Sequence, residues 1–429
     1  MATLIITAIV IFAFMGAPIF AVFSLLALTS FYFAEVESSA VAVEMVRLAT
    51  HPTLLAIPVF TFAGYLLAES KTPDRLLRLA SAGLGWLPGG VAIVSLMVCA
   101  LFTAFTGGSG VTIIALGGLL LPILSKQGYS ERFSLGLITA SGSLGLLFPP
   151  SLPIILYGLV AKVDVDKLFL AGIVPCFVLI AVLSAYAVFM GSRGSAPALA
   201  SGGEAPERFS FAELRSALWG ARYELPIPVI VLWGIYGGLM TASETSVVVA
   251  AYVLLMNCGL YKDLSLFKDI PRITKESMTL VGAILLILTC ALGFVNYIVD
   301  EDIPMLILDF MKEHIDSQLT FLLCLNVFLL LVGMMLDIFT AIVVVVPIIA
   351  PIATEFGVHP IHLAIIFLTN LEIGYLTPPV GLNLFISSFR FKKPVTEIYR
   401  ASIPFLILLL IGLAIVTYIP SIALMWVAE

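Results

Sequence analysis

Residues 101–157 read LFTAFTGGSGVTIIALGGLLLPILSKQGYSERFSLGLITASGSLGLLFPPSLPIILY. The stretch is largely apolar, but it is broken twice by residues that an unbroken membrane helix avoids. The first break is Thr106, Gly107, Gly108, Ser109 and Gly110; the second runs from Gly142 and Ser143 through Gly145 to Phe148, Pro149, Pro150 and Ser151. Backbone at membrane depth must satisfy its own hydrogen bonds, so such clusters are tolerated only where freed carbonyls and amides face protein or a wet cavity. Two breaks so close in sequence predict one shared cavity.

The pattern recurs without gaps. Pro122, Gly128, Gly145, Pro149, Pro150 and Pro175 correspond to Pro351, Gly357, Gly374, Pro378, Pro379 and Pro404, each pair 229 residues apart (351 − 122 = 229; 404 − 175 = 229). Six matches in one register predict an internal repeat. Interrupted segments at corresponding positions of two halves are the best sequence pointer to a transporter's binding site.

Composition agrees with a membrane chain. Of its 429 residues 61% are hydrophobic and 11% charged, and the mean hydropathy is +1.14, outside the usage of soluble domains. A net charge of −6 argues against nucleic acid as a partner. Cys99, Cys176, Cys258, Cys290 and Cys324 lie in apolar runs without metal-ligand spacing, so they read as buried hydrophobes. The first apolar run lacks a basic leader and a cleavage site, and is expected to be a retained segment.

Taken in order, residues 1–190 form the first repeat. Residues 2–34, bent near Gly16, Ala17 and Pro18, are expected as two short helices. An acidic linker (Glu35, Glu37, Glu44) precedes an apolar run near 53–67. The mixture of Lys71, Asp74, Arg75 and Arg78 with leucines then predicts an amphipathic helix at the interface, with a solvated loop helix as the other reading. A re-entrant hairpin is expected over about 91–124, with the glycines at its tip, followed by an interrupted helix over about 133–160 and a span near 168–190. Residues 191–222, rich in Gly, Ser, Ala and Pro, read as a cytoplasmic linker. Residues 223–429 repeat the order, with a hairpin at about 319–353 broken over Gly333–Asp337, an interrupted helix at about 361–389, and a last span near 404–419.

Loop charge sets the orientation. Basic groups at Lys71–Arg78, Lys126–Arg132, Arg193–Arg222, Lys262–Lys275 and Arg390–Lys393 all fall on the cytoplasmic side if the two hairpins enter from opposite faces. The acidic group Asp300–Asp316 then falls outside. The predicted fold is therefore an all-α polytopic membrane protein, an inverted repeat with two re-entrant hairpins and two interrupted helices.

Gly107-Gly108-Ser109-Gly110-Val111-Thr112 leading to Phe148-Pro149-Pro150-Ser151, and Gly374-Tyr375-Leu376-Thr377-Pro378-Pro379-Val380-Gly381, resemble the large membrane subunit of tripartite ATP-independent periplasmic (TRAP) transporters over essentially the whole chain. The resemblance implies a multi-pass protein of the bacterial inner membrane. It also implies sodium-driven symport of an organic anion, sialic acid or a C4-dicarboxylate, delivered by a periplasmic substrate-binding protein. An elevator motion of hairpins and interrupted helices past a scaffold is implied as well, as is a small four-helix membrane subunit, expected on a separate chain.

Sodium needs several oxygen ligands, which unwound backbone supplies without a full charge in the membrane. Two Na+ sites are expected where each hairpin tip faces its interrupted helix: Thr103, Thr106, Gly145, Phe148 and Pro150 in the first half, and Gly333, Met335, Gly374, Thr377 and Pro379 in the second. Packing or kinking is the competing explanation for each. Ser109, Ser143, Ser151, Asp337 and Asn383 are expected to line the substrate cavity, where half-helix N-termini favour a carboxylate. Asp337 admits two readings. A carboxylate at membrane depth costs about 2.5–3.5 kcal/mol on insertion scales and is usually functional, but it also suits an ordinary helix N-cap. Glu372 raises the same question.

Two other readings compete. Gly107–Gly110 fits the short G-x-S-G pattern of an intramembrane serine protease at Ser109, but His51, His314, His359 and His362 all lie in or beside predicted loops, leaving no base mid-span. A sodium/anion symporter independent of a binding protein shares the doubled hairpin. No catalytic residue is expected, and no metal beyond sodium: His359 and His362 stand i, i+3 without a third ligand nearby.

Overall fold

Apolar runs in lipid become helices because only a helix satisfies every backbone group within one segment. A computed structural model describes residues 5, 7–9, 11–12, 15–34, 43, 46, 52–87, 89–200, 209–315 and 317–427, and its regular elements are all helical. The chain turns at Gly16 (φ +91°) into α1 (Ile19–Phe33). Next come α2 (Ala56–Glu69), α3 (Thr72–Leu84), α4 (Gly90–Thr106), α5 (Ser109–Lys126) and α6 (Glu131–Ser141). A 3-10 turn (Leu144–Leu147) leads to α7 (Leu152–Ala161) and α8 (Val165–Ala200). The remainder comprises α9 (Phe211–Gly220), α10 (Pro226–Tyr236), α11 (Ala242–Leu254) continued by a π-turn (Leu255–Leu260), α12 (Asp269–Asp300) and α13 (Ile303–His314). It ends with α14 (Gln318–Met335), α15 (Ile338–Glu355), α16 (Pro360–Gly374), α17 (Leu382–Phe391), α18 (Val395–Tyr418) and a final turn, α19 (Ser421–Leu424).

Seven of these helices are long and apolar enough to cross a bilayer, eight if the pair Glu131–Leu147 and Leu152–Ala161, bent by 44°, counts as one span. The chain is an all-α, multi-pass membrane protein.

The 229-residue offset found in the sequence reappears in the element boundaries. α5 maps onto α15 at both ends (338 − 109 = 229; 355 − 126 = 229), and the starts of α4, α6, α7 and α8 map within one residue onto those of α14, α16, α17 and α18. Gly128 and Gly357 share a positive φ, of 82° and 77°, and the Pro149-Pro150 and Pro378-Pro379 bonds are both cis.

The centre of the molecule is the first limb of each interrupted helix. Every residue of α6 from Phe133 to Ser141, and of α16 from Ile361 to Gly374, is buried. Both helices carry polar side chains into this core, Ser134 and Thr139 on α6 and His362, Thr369, Asn370 and Glu372 on α16. Around this pair, α18 packs on α6 and α8, α14 on α16, and α1, α2 and α15 on α12.

Three expectations change. The second hairpin's break is shorter than Gly333–Asp337, because α14 stays helical through Met335 and only Leu336 and Asp337 are extended. The last span begins at Val395, with Pro404 inside it. Much of 191–222 is helical, in α8 and α9. The acidic linker (Glu35, Glu37, Glu44) and residues 201–208 lie outside the described residues.

Candidate functional site at the two helix breaks

The first break is built by glycine. Gly107 takes the left-handed conformation (φ +66°), its amide closing α4 on the Thr103 carbonyl at 2.8 Å, and Gly108 is extended before α5. The turn brings three threonines together. Thr103 Oγ1 lies 2.8 Å from the carbonyl oxygens of Cys99 and Gly142 and 2.7 Å from Thr112 Oγ1. Thr106 Oγ1 lies 3.4 Å from the Gly108 carbonyl and 3.5 Å from Thr112 Oγ1. All three side chains are buried. A hydroxyl donates one proton, so this knot holds more oxygen lone pairs than protons, and the Gly142 carbonyl belongs to the open C-terminal end of α6. Such a knot can hold a hard cation.

The other residues expected at this site surround it differently. A methyl group on Gly145 would come within 2.7 Å of the Ala104 amide nitrogen. Gly145 is therefore the position at which the 3-10 turn lies directly on α4, and its carbonyl accepts from the Phe148 amide at 3.1 Å. Phe148 is half-buried and meets Phe177 edge-on, with ring centroids 6.1 Å apart. Pro150 and Ser151 are buried, the Ser151 hydroxyl donating to the Leu146 carbonyl of its own turn. Ser109, 3% exposed, begins α5. Thr112 and Gly142, which complete the knot, stand in the quoted motif and the second break but not among the expected sodium ligands.

The second break is built by a carboxylate. Asp337 Oδ2 accepts from the amides of Phe339 at 3.0 Å and Thr340 at 3.1 Å, and Oδ1 accepts from the Thr340 hydroxyl. Asp337 is thus the N-cap of α15, one of its two sequence readings. The Ile338 amide donates to Tyr375 Oη at 2.7 Å, which ties the tip to the interrupted helix. Gly333 and Gly374 meet backbone to backbone: a methyl group on Gly333 would lie 3.3 Å from Gly374 Cα and 3.0 Å from Leu371 Cα. Thr377 Oγ1 donates to the Ile373 carbonyl at 3.2 Å. Met335 is 56% exposed and Pro379 is exposed, whereas Pro150 is buried.

The two breaks are therefore unequal. Stepping 229 residues on from Thr103, Thr106 and Thr112 gives Val332, Met335 and Ala341, so the hydroxyl knot has no copy; from Gly108 the same step gives Asp337. One break offers neutral oxygens in a closed setting, the other a carboxylate near the surface.

Between them, the Ser143 hydroxyl donates to the Glu372 carbonyl oxygen at 3.5 Å. The Glu372 side chain is fully buried and neither carboxyl oxygen has a hydrogen-bond partner. Asn383 donates from Nδ2 to the Thr139 carbonyl at 3.3 Å and from its backbone to the Tyr375 carbonyl at 3.2 Å, while its Oδ1 is buried without a partner. His359 and His362 are engaged elsewhere. His359 caps α16 at the Ile361 amide, and His362 Nε2 pairs with the Val416 carbonyl at 2.9 Å. Among the described residues no three His, Cys, Asp or Glu side chains form a metal cluster.

A family described as "Tripartite ATP-independent periplasmic transporter, DctM component" matches residues 5–422. The chain belongs to this TRAP transporter family. It is 36% identical to the C4-dicarboxylate TRAP transporter large permease protein DctM of Pseudomonas aeruginosa, over 93% of this chain and 91% of the relative. The isethionate TRAP transporter permease protein DctMQ of Oleidesulfovibrio alaskensis is 34% identical over 86% of this chain, which spans 57% of that longer protein. In fold, the chain is similar to the YdaH transporter of Alcanivorax borkumensis, with a TM-score of 0.63 at 14% identity, covering 90% of this chain and 88% of the other. As a TRAP large permease the chain is a transport protein, and the protease reading of Gly107–Gly110 falls away.

Proposed function

We propose that this TRAP permease drives the uptake of an organic anion of the C4-dicarboxylate class across the bacterial inner membrane, coupled to sodium entry. The observation that carries the reading is the buried oxygen knot of Thr103, Thr106, Thr112 and Gly142 at the first break. It offers hydroxyl and carbonyl oxygens to a monovalent cation without a fixed charge to compensate. The second cation is assigned to the opposite break, to the carbonyls about Gly333, Gly374 and Thr377 and to the Asp337 carboxylate. Ser109, Ser143, Ser151 and Asn383, with the amide-bearing N-termini of α5 and α7, are assigned to the anion.

The 36% identity to a C4-dicarboxylate permease favours that class over the acidic sugars. A periplasmic binding protein delivers the substrate, and a small four-helix subunit on a separate chain completes the membrane complex. Motion is of the elevator type, with α4–α7 and α14–α17 shifting together past the remaining helices. Each sodium ion entering along 100 mV contributes roughly 2.3 kcal/mol from the electrical term.

The test is uptake of radiolabelled dicarboxylates into proteoliposomes holding this chain and its small subunit, with and without the cognate binding protein. Uptake should require both sodium on the entry side and the loaded binding protein. Undiminished uptake in potassium removes the cation sites, and uptake without the binding protein makes the chain an independent symporter.

A further inference from the structure

Helix α3 is held at one end by charge and faces a gap along its length. The guanidinium of Arg75 donates from Nε to Glu224 Oε1 and from Nη2 to Asp263 Oδ2 at 2.7 Å, and lies 3.8 Å from the centroid of the Tyr261 ring. Its partners are buried, with side chains 1% exposed for Glu224 and 7% for Asp263. Tyr261 donates to Glu224 Oε2 at 2.8 Å, and burial together with that bond pushes its hydroxyl pKa up to about 12, so it stays a donor. Burial works against the Arg75 charge, yet its bonds to Asp263 and Glu224 hold its pKa above the ordinary arginine value. Arg75 is thus bridged to two separate segments of the second half, the α9–α10 turn and the chain leaving α11.

The same helix turns apolar beside the anchor, Leu79 lying one turn on from Arg75. Leu76, Leu79 and Ala80 line an apolar cavity of about 250 Å³, whose far wall includes Ala100 of α4, Phe148 and Phe177. Phe148 directly precedes the Pro149-Pro150 pair of the candidate site. The helix that bears the anchor therefore borders open volume on the side of the first hairpin and its interrupted helix.

We propose that Arg75 is a positioning residue for transport: it pins α3 to the second half as a fixed strut, and the cavity beside it is free volume into which α4 and the Phe148 turn shift during the cycle. The inference rests on the elevator reading above. Truncating Arg75 leaves two buried carboxylates without their cation, and lysine restores only part of the pairing, because one ammonium cannot bridge two carboxylates and stack on Tyr261 together.

The experiment uses the full chain with its small subunit. Hydrogen exchange on the purified complex reads the anchor. In Arg75→Ala the amides of residues 75–84 should exchange about tenfold faster or more, the scale set by loss of one partner of a buried ion pair; unchanged exchange overturns the anchor whether or not the protein transports. Uptake reads the motion. Arg75→Ala should lower the maximal rate about tenfold with little change in half-saturation by loaded binding protein, with partial recovery in Arg75→Lys. Ala80→Phe, which fills the cavity, should leave the melting temperature unchanged or higher while the maximal rate falls. A wild-type rate in Ala80→Phe, or an uptake loss in Arg75→Ala that follows its melting temperature, overturns the strut. Uptake by the wild-type complex in the absence of sodium bears on the coupling reading alone.

Discussion

Ser143 and Glu372 are 229 residues apart in sequence and 3.5 Å apart in space, the Ser143 hydroxyl donating to the Glu372 backbone carbonyl. That separation is the repeat offset, so the two residues occupy equivalent positions in the two halves. Equivalent positions of two copies touch one another where the axis relating them passes, as in an isologous dimer. The contact brings equivalent positions of the two halves together beside α6 and α16. The repeat puts a small hydroxyl on one side of this contact and a carboxyl on the other.

Glu372 supplies the first prediction. A buried polar group without a hydrogen-bond partner costs about 1–3 kcal/mol. Glu372→Met, which keeps the volume and removes that cost, should raise thermal stability by about 1 kcal/mol and abolish sodium-driven uptake. A lower melting temperature would show instead that the carboxyl has a partner in the complex.

Asp337 caps α15, and substitutions can separate that cap from the proposed role in transport. Asp337→Ala removes the cap of α15, a loss of about 1 kcal/mol, and should abolish sodium-dependent uptake with assembly intact. Asp337→Asn keeps a capping side chain and removes the charge. It should retain the wild-type melting temperature and still fail to transport; normal uptake by Asp337→Asn would reduce Asp337 to a cap.

The breaks, their register and the helical class are legible in the sequence because glycine and proline clusters inside apolar runs have few other uses. What the sequence hides is which side chains the breaks gather. Thr112 sits in the first turn of α5, and only the turn at Gly107 brings its hydroxyl 2.7 Å from Thr103, nine residues back. The second break is shorter than its sequence suggests because Gly333 reads as a helix breaker. Its lack of a side chain instead lets α14 touch Gly374, and an extended Leu336 with an Asp337 cap suffices to end the helix. The Arg75 cluster joins residues 149 and 188 positions apart, a distance over which no motif carries.

The hydroxyl knot yields a graded test. Thr103→Val is nearly isosteric and matches Val332 at the equivalent position of the second half. Removing one hydroxyl bonded in the interior costs about 1 kcal/mol of stability. If the knot holds sodium, the same change should raise the sodium concentration for half-maximal uptake by about tenfold, since 1.4 kcal/mol of lost cation affinity is a factor of ten. The control is Thr61, a buried threonine on α2 whose hydroxyl donates to the Ile57 carbonyl of its own helix at 2.7 Å and takes no part in the knot. Thr61→Val should cost similar stability and leave the sodium dependence unchanged. Equal sodium dependence in both variants would remove the first cation site.

The last prediction concerns the glycines that let each interrupted helix lie on its hairpin. A methyl group on Gly374 would strike the Gly333 backbone, and one on Gly145 would strike Ala100 and Ala104. Backbone cannot swing aside as a flexible side chain can, so each Gly→Ala change forces the tip away from its helix, at a cost of about 1–3 kcal/mol. The functional consequences should differ because the second break opens to the surface while the first is enclosed. Gly374→Ala should destabilise less, its hairpin tip having room to shift at Met335, and it should weaken sodium-dependent uptake in a complex that still assembles. Gly145→Ala should lower the melting temperature further and reduce the amount of assembled complex. Thermal unfolding and uptake measured on both variants decide it: equal destabilisation would mean that the two breaks are packed alike, and that the asymmetry between the hydroxyl knot and the Asp337 cap does not extend to the backbone that carries them.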